Sequence, residues 1–410
     1  MFAQETIDYA KELEQEALKF NFRLDSSQSD DSRDRDEYER DYARILYSSS
    51  FRRLQGKMQL LGVDHTSFHR NRLTHSLEVA QIARTIASNL GLKNVVVAEA
   101  CSLAHDIGNP PFGHSGEITL NNLVDGIGGY EGNAQVIRIF RTLEKKYPKT
   151  KGLNLTARTL LGVTKYFHMR SENPKKFLYD DDFEILNNIW TQVGVSHRRT
   201  IDVQIMDLSD EIAYAAHDLE DSIAMGYMSI SEILYEFKVS QKYSSVYEVF
   251  RKIVSGVQSY VGEEGGLQSS EEYSSVFRKE LTSRVVNALV RDIGIVTNDK
   301  GTSELGYLHY ELLAEGLKKL VFRSLLRKRN IQLYEKLGDK VIKGLFNVYS
   351  DKSFNKDGLL LPVEYRNIET ENAFQRSIVD YISGMMDAFA INEYKKYYGS
   401  GSLDSLYQAA

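Results

Sequence analysis

A single cysteine, Cys101, stands in 410 residues. One thiol makes no intrachain disulfide and no multi-thiolate zinc or iron–sulfur site, and such scarcity fits a reducing cytoplasm. Proline is nearly as sparse, five in all, two of them adjacent at Pro110-Pro111. Long proline-free stretches rich in Leu, Ala, Glu, Arg and Lys favour helices over sheets. No apolar run approaches the roughly 20 residues that span a bilayer, and the start Met1-Phe2-Ala3-Gln4-Glu5 is no signal peptide. Excess positive charge is missing too: 51 basic against 57 acidic residues give a net −6. That balance argues against a broad electropositive face for duplex nucleic acid, yet leaves room for a small polyanion held by a local Arg and Lys cluster. Hydrophobic residues at 42% and charged residues at 26% are ordinary for a globular chain long enough to bury one large core or two fused ones.

What is present is helical periodicity. Leu73, Leu77, Ala80, Ala83, Ala87 and Leu90 recur at three- and four-residue steps, and Gly91 follows as a stop signal. A second helix is expected from Asn94 to about Asp106, and a third over roughly 203–223, with Met206, Ala213, Ala216 and Leu219 near one face. The segments 231–260, 270–295, 305–346 and 371–397 also read as helical, with no alternating strand series, no repeat and no heptad. Polar or glycine-rich composition predicts disorder at 25–34, at 261–266 and after Gly399. The expected fold is therefore all-α, with a boundary expected near residue 230.

Five of the nine histidines fall between positions 65 and 114: His65, His69, His75, His105 and His114. His75 opens the first helix, and His105-Asp106 closes the second. A lone His-Asp pair is most often a hydrogen-bonded core pair. Here it opens the run His105-Asp106-Ile107-Gly108-Asn109-Pro110-Pro111-Phe112-Gly113-His114-Ser115-Gly116-Glu117, which is poor core material and reads as a shaped functional loop. His75, His105 and Asp106 leave room for one more carboxylate. Two imidazoles with two carboxylates suit a hard or borderline divalent ion such as Mn, Fe, Co or Mg with open positions for water. Such an ion lowers the pKa of a bound water and polarises phosphorus. For the last carboxylate the third helix offers Asp207, Asp210, Glu211, Asp218 and Asp221, and spacing alone does not choose among them.

Together with Phe51-Arg52-Arg53-Leu54-Gln55, Gln59, Arg72-Leu73-Thr74-His75-Ser76, Tyr130-Glu131-Gly132-Asn133-Ala134-Gln135 and Leu153-Asn154-Leu155-Thr156, these residues resemble the HD-superfamily dGTP triphosphohydrolases. Asp210-Glu211-Ile212-Ala213-Tyr214, His217-Asp218-Leu219-Glu220-Asp221 and a late Gly384-Met385-Met386-Asp387 complete the set, in the family's order over about 35–225 and near 385. The resemblance implies an HD-domain helical core over 1–230, N-terminal helices included, and further C-terminal helices over 231–410. It implies hydrolysis of deoxynucleoside triphosphates, dGTP first among the candidates, to the deoxynucleoside and inorganic tripolyphosphate. His75, His105, Asp106 and Asp210 are then the metal ligands. His114 protonates the leaving 5′-oxygen with Glu117 orienting it, a duty that suits imidazole. Arg72, and less securely Lys165 and Lys176, face the phosphates. Gln59, Tyr214 and Asp218 match the family's sugar contacts: a ring at C2′ crowds a ribonucleotide, while Gln and Asp bond the 3′-hydroxyl.

Departures fall at Asn71, at Met58 and Leu60 around Gln59, and at Glu211, where some relatives carry a lysine. Residues 230–375 match little, so the base preference stays open. Family analogy also implies a homo-oligomer, hexamer or tetramer, and leaves single-stranded DNA as an undetermined partner. Two rivals remain on sequence: an HD phosphatase or phosphodiesterase for other nucleotides, and a nucleotide-sensing or nucleic-acid-binding protein with a vestigial site.

Overall fold

A computed structural model of the chain describes residues 2–25, 34–59, 70–263, 265–326, 328–366 and 369–406. Helices α1 (Gln4–Ala17), α2 (Glu37–Leu46) and α3 (Ser49–Arg53) lead to the central pair α4 (Arg72–Asn89) and α5 (Val95–Ala104). Then come α6 (Gly113–Leu123), α7 (Gly132–Arg138), α8 (Ala157–Gly162), α9 (Asp180–Val193) and α10 (Ile201–Ala213). Local chemistry sets these starts. Asn71 and Thr74 form a reciprocal capping box at α4, Glu131 accepts from Ala134 N–H at α7, and Thr200 accepts from Val203 N–H at α10.

The remaining elements are α11 (Leu219–Ala224), α12 (Ile230–Val239), α13 (Tyr247–Glu263), α14 (Ser270–Arg291), strands β1 (Ile293–Thr297) and β2 (Ser303–Tyr307), α15 (Glu311–Leu326), α16 (Arg329–Ser350), α17 (Glu371–Ser383) and α18 (Asp387–Tyr398). The chain is all-α apart from that hairpin among the described residues. The strands pair antiparallel with Ile293 opposite Tyr307 and Thr297 opposite Ser303. They correct the expectation of unbroken helix at 270–295 and 305–346. The β-branched run Ile293, Ile295, Val296, Thr297 and the turn at 298–302 outweigh helical propensity once Ile293, Leu305 and Tyr307 pack into the core.

Other boundaries shift as well. The expected helix 231–260 is two helices, and 371–397 is broken between Ser383 and Asp387. The disorder expected at 261–266 gives way to helix through Glu263, and a short helical turn covers Ser400–Leu403. Residues 26–33, and with them most of the expected 25–34 stretch, lie outside the described residues, as do His65 and His69.

Among the described residues three apolar clusters hold the helices together. One joins α1, α4, α10 and α12–α15 through residues such as Leu13, Ile82, Ile205, Phe250 and Leu317. A second gathers Phe20, Ile45, Cys101, Leu160, Trp190 and Met206 around α5. A third unites α6 with α16–α18 through Leu120, Ile342, Leu345, Ile378 and Tyr394. Helix α4 feeds the first with Val79 and Ile82 and the second with Ala80; α10 divides likewise between Ile205 and Met206. This double burial alters the expected apolar face. Leu77 turns outward at 48% exposed, while His75, Val79, Ile82 and Ile86 point inward. The polar site sits where α4, α5 and α10 meet.

Candidate metal centre

His75 enters from the first turn of α4 and is fully buried. His105 caps the C-terminus of α5, where its Nδ1 donates to Ser102 C=O at 2.6 Å. A carbonyl only accepts, so the hydrogen is fixed on Nδ1 and Nε2 turns into the site. His75, His105 and Asp106 present ligand atoms within 4.8 Å of one another. Asp210, near the end of α10, brings Oδ1 to 3.2 Å from His75 Nε2 and 3.4 Å from His105 Nε2. Neither His75 Nδ1 nor His105 Nε2 has a hydrogen-bond partner within the geometry of a true bond, although both are buried.

The electrostatics describe a pocket short of positive charge. Burial opposes ionising His105, yet Asp106 and Asp210 outweigh it and raise its pKa to about 9. Burial likewise opposes ionising Asp210, and His105 and Lys165 hold its carboxyl well below the usual range. Asp106 is held down by Arg72 and His105 against the same burial. Two buried carboxylates beside imidazole nitrogens, with orphaned ring atoms, form a donor set that fits a divalent cation of mixed N/O preference.

Around this centre Arg72 Nη1 donates to Asp106 Oδ2 at 2.7 Å, and Asn109 Nδ2 donates to Asp106 Oδ1. Lys165 Nζ pairs with Asp207 Oδ1 and lies 3.4 Å from Asp210 Oδ2. The Tyr214 ring lies 5.0 Å from that of His75. Tyr214 opens a wide π-helical turn, Tyr214–Asp218, and burial holds its phenol in the protonated form. The single helix expected over roughly 203–223 is thus interrupted by a bulge at Tyr214–Asp218, a frequent mark of a functional site.

Asp218 is 1% exposed with both oxygens unpartnered, and burial, then Asp221 and Glu78, push its pKa well above the carboxylate range despite Arg70. Gln59 has both amide atoms buried and without a partner among the described residues, and follows the Met58–Asn71 bridge that pins it to the start of α4. His114 stands apart, 75% exposed, its Nδ1 3.2 Å from Glu117 Oε2. Lys176 belongs to that outer pair: its Nζ bonds Glu131 Oε1 at 2.9 Å, with Glu117 and His114 in its field.

The HD domain model matches residues 72–215, and the phosphohydrolase-associated domain model matches 309–396. A deoxyguanosinetriphosphate triphosphohydrolase-like protein 2 of Vibrio cholerae serotype O1 is 54% identical over 407 residues, 99% of this chain and all of the relative. The chain belongs to the HD-superfamily dGTPase family. Relatives named deoxyguanosinetriphosphate triphosphohydrolase-like protein from Shewanella sp. (strain ANA-3) and Shewanella sediminis are 34% and 35% identical, with 88% and 87% of this chain covered and 92% and 90% of theirs. It is thus an HD-type phosphohydrolase family member, and among its described residues no helix is long and apolar enough to cross a membrane.

This dGTPase-family site also draws on residues that motif reading passed over. Lys57 is buried, donates to Asn109 C=O and, at 2.8 Å, to Ser383 C=O, and burial lowers its pKa to about 7. Arg70 gathers Glu78, Glu220 and Asp221 behind Asp218. From α15, Lys318 Nζ lies 5.2 Å from the Tyr214 ring. Lys57 and Arg70 sit two residues from Gln59 and Arg72, a hint that sequence did carry; Lys318 stood in no motif read from the sequence, and the phosphohydrolase-associated match over 309–396, which contains it, corrects the expectation that 230–375 matches little.

Proposed function

We propose that the chain hydrolyses deoxynucleoside triphosphates to the deoxynucleoside and inorganic tripolyphosphate, with a divalent ion held by His75, His105, Asp106 and Asp210. The observation that carries this reading is the convergence of those four residues from three helices, with His75 Nε2 at Asp210 and the orphaned His105 Nε2 between the carboxylates of Asp106 and Asp210. A bound ion supplies Lewis acidity at the α-phosphorus and acidifies water.

The remaining groups divide the substrate. Arg72 and Lys165 are cations at the rim of the centre and neutralise the triphosphate; Lys176 guards the outer end. His114, whose pKa the Glu117 hydrogen bond raises, gives its proton to the 5′-oxygen as the bond from that oxygen to the α-phosphorus breaks and water adds to phosphorus. Tyr214 packs against C2′, where a ribose hydroxyl collides. Gln59 and Asp218, whose buried polar atoms lack partners among the described residues, take the 3′-hydroxyl.

The test is purified protein with Mn or Mg and each of the four dNTPs, singly and mixed, with products separated by ion-exchange chromatography. Tripolyphosphate and deoxynucleoside in equal amounts are expected. Orthophosphate or pyrophosphate as the product overturns the reading, as does the absence of turnover under every condition.

A further inference from the structure

Phe112 has φ +63°, a left-handed backbone that is strained for a bulky residue and persists only where its surroundings enforce it. It sits immediately before Gly113 and His114, at the N-terminus of α6. What enforces it comes from far along the chain. Asp387, 2% exposed at the start of α18, accepts Phe112 N–H on Oδ1 at 3.0 Å. Its Oδ2 accepts Met58 N–H at 3.0 Å and the Tyr334 hydroxyl at 2.6 Å. The Tyr334 ring lies 5.5 Å from that of Phe112, and Phe112 rests on Gly338, where a Cβ would come within 2.6 Å of it.

One carboxylate therefore ties together the bridge residue Met58 that leads to Gln59, the strained peptide that launches the His114 helix, and α16. We propose that Asp387 is a positioning residue that sets the place of His114, and that the C-terminal helices act on the site through it. The inference rests on the reading of His114 as the proton donor.

The chemistry of the substitution is specific. Asn in place of Asp387 offers one acceptor oxygen and one NH2. Whichever way the amide turns, a buried N–H, that of Phe112 or of Met58, faces a donor instead of an acceptor. With the amide oxygen turned to the two donors Met58 N–H and Tyr334 O–H, the Phe112 peptide loses the bond that holds it left-handed, and the first turn of α6 relaxes.

The experiment compares the Mn-loaded full-length protein with Asp387→Asn, His114→Ala and the double variant. Asp387→Asn is expected to lower kcat about tenfold or more while KM stays within about twofold, because misplacing a reacting group by an ångström costs that much. In the double variant kcat equals that of His114→Ala alone, since one residue acts through the other. A kcat within about twofold of wild type, or losses that multiply in the double variant, overturns the proposal. Should Asp387→Asn fail to fold, Tyr334→Phe removes one of the three donors and is read by the same cycle.

Hydrogen exchange separates this proposal from the reading beneath it. In Asp387→Asn, amides over 107–120 exchange faster while those of α14 do not. If wild type hydrolyses no dNTP, the function falls, and unchanged exchange over 107–120 then overturns the latch as well.

Discussion

Arg72 donates to Asp106 across 2.7 Å, a cation on the first turn of one helix steadying a carboxylate just past the end of another. The same guanidinium lies near the launch of the His114 helix, 3.4 Å from where a Cβ on Gly113 would stand. It therefore faces the centre and the loop at once. Arg72→Lys keeps the charge but loses the fork that fits a carboxylate. Manganese affinity, read by titration calorimetry, is expected to fall about 10- to 100-fold, with kcat/KM falling at least as far. Unchanged affinity would show that Arg72 orients nothing.

Glu117 holds the His114 proton. Its hydrogen bond raises the imidazole pKa above the usual value against partial burial. A general acid works only when protonated, so kcat stays level below that raised pKa and declines as pH climbs through it. Glu117→Gln removes the partner charge and returns His114 toward about 6.5. The alkaline limb of the kcat–pH profile is expected to move to lower pH. A limb that stays in place assigns the proton to another group.

Asp218 is buried with no hydrogen-bond partner among the described residues, and burial raises its pKa well above the usual carboxylate range. A neutral carboxyl and an amide differ little as hydrogen-bonding shapes. Asp218→Asn is expected to keep KM within about threefold, whereas Asp218→Ala, which loses a hydrogen bond in a dry pocket, raises KM about tenfold. An Asn variant as impaired as Ala would require an ionised carboxylate there.

Metal binding should register in stability without any turnover. A ligand at 100 times its Kd stabilises the folded state by about 2.7 kcal/mol. Manganese is expected to raise the Tm of the chelator-treated protein, and Asp210→Asn to abolish that rise while leaving the metal-free Tm close to wild type. A full shift in the variant removes Asp210 from the ligand set.

Arg158 and Asp202 form a fully buried bidentate pair, Nε to Oδ2 at 2.9 Å and Nη2 to Oδ1 at 3.0 Å, that ties α8 to α10. Removing one partner leaves a buried charge unmatched. Arg158→Ala is expected to cost roughly 3–5 kcal/mol in urea unfolding. A loss below about 1 kcal/mol is inconsistent with so dry a pair.

Much of this was legible in the chain. Proline scarcity and three- and four-residue apolar steps specified helices because backbone geometry is local. The histidine cluster with its Gly-Pro-Gly loop marked His75, His105 and Asp106 because such a run packs poorly as core. The hairpin was hidden: its five-residue strands at 293–297 and 303–307 lie between strong helical stretches, and its pairing is with itself and the core. The bulge at Tyr214 was hidden for the same reason, since a straight periodicity has no room for it.

Tertiary structure decided what spacing left open. Asp207, Asp210 and Asp218 share a segment, yet only Asp210 meets the two imidazoles, at 3.2 and 3.4 Å; Asp207 pairs with Lys165 and Arg199, and Asp218 is buried beyond the bulge. That choice depends on how α4, α5 and α10 pack over a separation of 135 residues, for which sequence distance holds no information. The hold of Asp387 on Phe112, 275 residues apart, is the same kind of fact. Local propensity is written residue by residue, but which side chains meet is set by the one arrangement that buries all three apolar clusters together.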